Sequence, residues 1–155
     1  MESTVIELAF YALKEEAIRR HRLMWNWIAD EAERTHKPVT KMDAFDHFGW
    51  DQNIRSKCWC CEYAHEEVLR RELFGKMGMC EFCPLDWSQG NEDAVKARCV
   101  GYFDESMFFH IGPFEEWCLS SGLGDEKFYF DPERFISLAR TIANLPEKSV
   151  SSHLE

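Results

Sequence analysis

Cys58-Trp-Cys-Cys61 and Cys80-Glu-Phe-Cys83 are the residues of this chain whose types and spacing most directly imply chemistry. Each is a Cys-x-x-Cys turn, and the 18 residues between them fall within the spacing of a structural zinc site. The reason is geometric. Zn²⁺ has no directional d-electron preference and accepts four thiolates tetrahedrally, two from each tight turn. A Cys₄ shell leaves no position for water, so the expected Zn²⁺ is structural rather than catalytic. Cys60 stands inside the first pair and competes with Cys58 or Cys61 for a place in the shell.

Two other readings of these cysteines compete. A disulfide framework needs an oxidising compartment. Met1 to Ser3 is followed at once by a charged amphipathic segment, with nothing that reads as a secretory signal. A zinc deaminase uses a His-x-Glu element and then Pro-Cys-x-x-Cys, with the Glu shuttling protons. Here His65-Glu66-Glu67 precedes Cys80 and Cys83, but Pro84 follows the second cysteine and the Cys58–Cys61 pair would have no role.

The elements that must hold the two turns read as helices. Residues 3–34 contain no Gly or Pro, and Thr4 with Glu7 forms a capping-box pattern. Ile6, Phe10, Leu13, Ala17, His21, Met24 and Ile28 share one face, widened by Tyr11, Ile18 and Trp25. His21 is the odd member of that stripe, and its expected role is a satisfied core histidine. A shorter amphipathic piece covers Val39 to Trp50, with Phe45, Phe48 and Trp50 as core. Asp43, Asp46, His47 and Asp51 form its solvated side rather than a metal site. Between the turns, Glu62 to Phe74 predicts a short amphipathic helix, and Gly75 and Gly78 loosen the approach to Cys80.

After a loop over residues 88–93, residues 94–118 fit either a helix and a strand or two helices, and the structure of 94–130 stays open. Glu115, Glu116 and Trp117 begin a short helix ending near Gly122. Gly122-Leu-Gly124-Asp125 lacks the third glycine of a dinucleotide loop. Asp131-Pro132 supplies an N-cap and N1 proline for a last helix over 131–145, stopped by Pro146. The expected architecture is mainly α: a single small domain over 1–155, with the long N-terminal helix packed with shorter helices around a Cys₄ zinc-knuckle element at 58–83.

Composition narrows function. Acidic residues outnumber basic ones 28 to 18, for a net charge of −10. Gripping a nucleic-acid backbone takes concentrated Lys and Arg, so this balance argues against direct nucleic-acid binding. No apolar run is long enough to span a membrane. An acidic surface suits a basic protein partner or serves solubility alone.

The same residues carry a family resemblance that spans most of the chain. His21-x-x-x-Trp25 lies in a long first helix, Cys58-x-x-Cys61-Glu-Tyr-Ala64 and Cys80-x-x-Cys83-Pro-Leu-Asp-Trp87 follow, and a helix closes on Ile142-Ala-Asn-Leu-Pro146. This resembles a group of small uncharacterised cysteine-rich proteins of Gram-positive phages and prophages. The group supplies no activity to carry over, and Asp93 to Asp131 match it least. The resemblance implies a cytoplasmic protein of the bacterial host cell, in the class of small phage accessory proteins that act by binding.

The leading expectation is therefore a zinc-stabilised, non-catalytic inhibitor or adaptor that acts on a host or defence protein. Trp27, Trp50, Trp59 and Trp117 are candidate contact residues, each more readily explained as core. The first alternative is a sponge for a small nucleotide-like signal, with Arg19, Arg22, Trp25, Arg55 and Trp59 as ligand-binding groups. The second is a zinc-dependent hydrolase or deaminase-like enzyme. Cys99 or Cys118 with His110 is its only other nucleophile–base candidate, and no family signature surrounds them.

Overall fold

The computed structural model describes residues 2–54, 57–71, 79–89, 91, 94, 97–123 and 129–148, apart from the side chains of 2–12, 71 and 79. The chain is mainly helical, as its periodicity predicts. Helix α1 (Glu2–Thr35) is followed by α2 (Lys41–Phe48) and α3 (Trp59–Arg71), then a 3₁₀ turn (Met79–Phe82). Strands β1 (Gly101–Phe103) and β2 (Phe109–Ile111) precede α4 (Pro113–Ser120) and α5 (Pro132–Ala143). No helix among the described residues is long and apolar enough to cross a membrane.

Helix α1 already includes Glu2, so Thr4 lies inside the helix and not at its N-cap. The side chains of Thr4, Ile6, Glu7, Phe10 and Tyr11 fall outside the described residues. The helix ends where His36 takes a left-handed φ of 57° while its N–H still reaches the Ala32 carbonyl at 2.8 Å. Pro38 cannot extend it. Helix α2 is closed at both ends by short-range bonds. Thr40 and Asp43 form a reciprocal capping box, and Gly49 (φ 68°) turns the chain so that the Trp50 N–H meets the Phe45 carbonyl at 2.9 Å. Asp131 caps α5 by accepting from the Arg134 N–H, with Pro132 at the first helical position.

The core lies where α1 meets α5. Met24, Trp25, Ile28, Ala29 and Ala32 face Phe135, Ala139, Ile142 and Ala143, and Phe45, Trp117 and Leu85 close around them. Trp25 meets Trp117 edge to face at 4.7 Å, and Trp117 meets Phe135 at 5.0 Å. Aromatic pairs at this spacing add about 0.5–1.5 kcal/mol each beyond area burial. Leu13, expected in the buried stripe, is 52% exposed. Phe45 is fully buried, Trp50 packs at the margin of the core, and Phe48 stacks on Trp50 at 4.4 Å.

Residues 94–118 take a form other than two helices. They hold an antiparallel hairpin pairing Gly101 with Ile111, Tyr102 with His110 and Phe103 with Phe109, and α4 begins directly after it. Behind α5 the chain returns to the second cysteine turn. The Asp86 N–H donates to the Pro146 carbonyl and the Lys148 N–H to the Pro84 carbonyl, each at 2.8 Å.

Candidate metal centre

The first cysteine pair is not a separate knuckle before a helix. Cys58 directly precedes α3, and its carbonyl accepts from the Glu62 N–H at 3.0 Å, so it caps the helix and Cys61 follows in the first turn. Three residues along a helix bring both side chains to one face, while the intervening Cys60 is turned away. The second pair is held the same way in miniature: the Cys83 N–H donates to the Cys80 carbonyl at 3.2 Å within the 3₁₀ turn. The expected end of the inter-turn helix near Phe74, together with Gly75 and Gly78, lies outside the described residues.

Cys58, Cys61, Cys80 and Cys83 all line one cavity of about 250 Å³. Two further donors line it: Cys99, from the loop before β1, and His21, from the middle of α1. Met24, Trp25, Trp87 and Phe114 supply its apolar wall. Cys60 does not line the cavity and is fully buried in the core. The seven cysteines form no disulfide.

The thiols divide into proton donors and proton acceptors. Cys58 is held well below the usual thiol range because the Cys61 S–H donates to it, with His21 adding to the effect against the cost of burial. Cys61 is correspondingly raised by that same bond and by burial. Cys83 is lowered to about 7 by a hydrogen bond from Cys60, helped by the Leu85 backbone and by the Trp87 indole N–H at 3.5 Å. Cys60 is raised in turn. Burial, and then the neighbouring thiols Cys58, Cys80 and Cys83, push Cys99 up to about 12. Each Cys-x-x-Cys turn thus holds one sulfur below the usual thiol range.

His21 is the core histidine its place in the stripe implies, but only one of its two ring nitrogens is satisfied. It is 1% exposed, and its Nε2–H donates to the Ile142 carbonyl at 2.9 Å. Among the described residues its Nδ1 has no hydrogen-bond partner. Soft thiolates plus an imidazole nitrogen are the donor set that zinc selects, and an orphaned ring nitrogen on the wall of a thiol-lined cavity fits such an ion. Among the described residues, no three His, Cys, Asp or Glu side chains are grouped as they stand to hold a metal.

The other candidate residues scatter. Arg19 pairs with Glu16 on the surface of α1. Arg22 donates to the carbonyls of Ala143 at 2.8 Å and Leu145 at 3.1 Å, so it caps the end of α5. Trp25 is core, and Trp59 lies beneath the Arg20 guanidinium at 4.3 Å. Arg55 falls outside the described residues. The described members of the expected nucleotide-binding set therefore do not converge, because Arg22 and Trp25 are committed to holding α1 against its neighbours.

His65 and Glu66 do not line the cavity, and Glu67 pairs with Arg70. Cys99 faces the cavity while His110 pairs with Asp104 at 2.8 Å on the hairpin. Cys118 lies half-buried, and that burial, followed by the charge of Glu115, raises its pKa. Asp43, Asp46, His47 and Asp51 are exposed, with Asp43 in the α2 cap and His47 stacked on Trp27 at 4.6 Å. Of the tryptophans considered as contact residues, Trp117 is buried and Trp27, Trp50 and Trp59 are half-buried.

Exposed apolar surface lies instead on the hairpin. Phe103 is 61% exposed, Met107 74%, Phe108 70% and Phe109 51%. Phe103 and Phe109 form a cross-strand pair at 5.1 Å on one face, and Tyr102 stacks on His110 at 4.8 Å on the other. The Asp104 carboxylate organises the turn by accepting from the Ser106 N–H at 2.8 Å, the Phe108 N–H at 3.1 Å and the His110 ring. Met107 sits at a left-handed φ of 64°. Sequence reasoning missed this surface because its strands are three residues long. It considered Cys99 as a nucleophile and not as part of the cysteine site, because that cysteine belongs to neither turn.

Comparison with protein-family models, with curated proteins and with solved structures finds no match to this chain.

Proposed function

We propose that this chain is a zinc-stapled, non-catalytic binding protein, carried by a phage or prophage and acting in the bacterial cytoplasm as an inhibitor or adaptor of a host or defence protein. The observation that supports a binding role is the hairpin. Four apolar side chains of one hairpin, Phe103, Met107, Phe108 and Phe109, left in water are costly unless a partner covers them, and exposed apolar surface of this kind marks interaction sites. Met107 adds a second cost, since a non-glycine residue in the left-handed region is strained by about 1–2 kcal/mol. Strain kept at an exposed tip is what a contact residue tolerates. Asp104 and Glu105 in the turn, on a chain of net charge −10, suit a partner whose apolar groove carries a basic rim.

Zn²⁺ in the cysteine cavity is the structural half of this reading. It would be held by thiolates drawn from Cys58, Cys61, Cys80 and Cys83 on the cavity wall, and it would supply cross-linking rather than catalysis. A sponge for a nucleotide-like signal fits less well, because Arg19, Arg22 and Trp59 of its expected ligand-binding set are each engaged with a different partner.

Native mass spectrometry tests the proposal, with the purified protein measured alone and after incubation with host lysate. The expected result is a stoichiometric complex with one host protein, which the double variant Phe103→Ser, Phe108→Ser loses at unchanged melting temperature. A bound small molecule of a few hundred daltons would favour the sponge. Capture that ignores the hairpin variant would sink the hairpin as the contact surface.

A further inference from the structure

We propose that His21 is itself a metal ligand, its Nδ1 filling one corner of a shell whose other three corners are thiolates from the two cysteine turns. This rests on the reading that the cysteine cavity holds a metal.

Four observations carry it. The ring is almost completely buried, so water does not compensate it from the surface. Its Nε2 lies 2.9 Å from the Ile142 carbonyl, an atom that can only accept, so the proton is on Nε2 and Nδ1 presents a lone pair. Among the described residues that lone pair has no hydrogen-bond partner. And the ring forms part of the wall of the cavity that holds Cys58, Cys61, Cys80 and Cys83. A histidine whose far N–H is anchored on a backbone carbonyl is the usual arrangement around metal-binding imidazoles, because the anchor fixes tautomer and ring direction. Trp25 and Trp87 flank the ring at 6.3 Å each and restrict it further without offering Nδ1 a proton.

The consequence for architecture is large. Cys58 to Cys83 is a local segment, and a metal bound only there would staple α3 to the 3₁₀ turn. With His21 in the shell, the same ion reaches α1 and, through the Ile142 carbonyl, stands one hydrogen bond from α5. The local staple becomes a brace across the whole core.

Zinc K-edge X-ray absorption on the zinc-loaded full chain decides the question. The expected shell has three sulfurs at about 2.3 Å and one nitrogen at about 2.0–2.1 Å, and His21→Gln removes the nitrogen. Four sulfurs and no nitrogen would overturn the role of His21 while leaving the zinc site standing. A nitrogen that survives His21→Gln would belong to another histidine and would also overturn it. A chain that takes up no zinc fails at the underlying metal reading, a result distinct from the other two. If His21→Gln does not fold, ¹⁵N spectra of the wild-type chain serve instead: Nδ1 of His21 shifts on zinc loading, and an unchanged resonance overturns the proposal.

Discussion

The ring of Phe109 occupies the space that a side chain on Gly101 would need. A Cβ placed at Gly101 would lie 2.7 Å from Phe109 Cζ and would also collide with the carbonyl of His110 across the strand pair. Gly101 has a φ of 141°, which favours glycine independently of the crowding. The hairpin therefore stands on a position that tolerates no side chain.

Gly101→Ala is expected to unseat the hairpin while leaving the α1–α5 core folded. Strained backbone costs about 1–3 kcal/mol, and the hairpin has few buried contacts to offset it. Amide exchange should accelerate at Tyr102, Phe103, Phe109 and His110 and stay slow in α5. An unchanged exchange pattern would show that the strand pair accommodates the methyl group.

Arg22→Ala is expected to destabilise the protein by about 1.5–3 kcal/mol, the range for hydrogen bonds to a charged group, because two carbonyls at the end of α5 lose their donor. Arg22→Lys should recover only part of this, since an ammonium cannot reproduce the guanidinium fork. Urea denaturation with unchanged slope measures both.

The hairpin turn should also respond to acid. His110 first, and then the Phe108 and Ser106 N–H groups, hold Asp104 below the ordinary carboxylate range. A depressed folded pKa contributes stability that is full above the unfolded value of about 3.9 and is lost as pH falls through the folded value. Order in residues 104–108 is therefore expected to be lost as pH falls below the ordinary carboxylate value of about 3.9. Amide shifts of Ser106 and Phe108 would follow it, and Asp104→Asn should remove the acid step.

Purified chain is expected to carry close to one zinc, and a strong chelator should lower its melting temperature. Folding free energy and metal binding are linked where the ligands converge only in the native state. Cys80→Ser should unfold much of the protein. A folded, metal-free chain indifferent to chelators would remove the zinc staple.

How much of this was legible depends on how local each signal is. The ends of α2 and α5 are written in three or four adjacent residues, Thr40 to Asp43 and Asp131 to Arg134, and both could be placed or nearly placed from sequence. Leu13 obeys the periodicity of its stripe and is still exposed, because burial depends on where neighbouring elements end. The hairpin gave no sign of itself: its turn has Met107 at the positive φ where Gly or Asn would announce it, and its strands show no alternation of burial. In the candidate site, the two Cys-x-x-Cys turns were visible as spacing. Cys99 and His21 join them only through contacts, Cys99 because the Phe114 N–H holds its carbonyl at 3.1 Å, and His21 because α5 lies across α1.

The pairing of α1 with α5 sets the order in which the molecule can assemble. His21 and Ile142 are 121 residues apart. At roughly 5–20 residues per second, a ribosome needs roughly 6 to 24 s to make the stretch between them. Throughout that interval Met24, Trp25 and Ile28 have been synthesised and the helix that buries them has not. The first helix must wait for the last, and a nascent chain of this design presents an apolar stripe to chaperones and proteases for most of its synthesis.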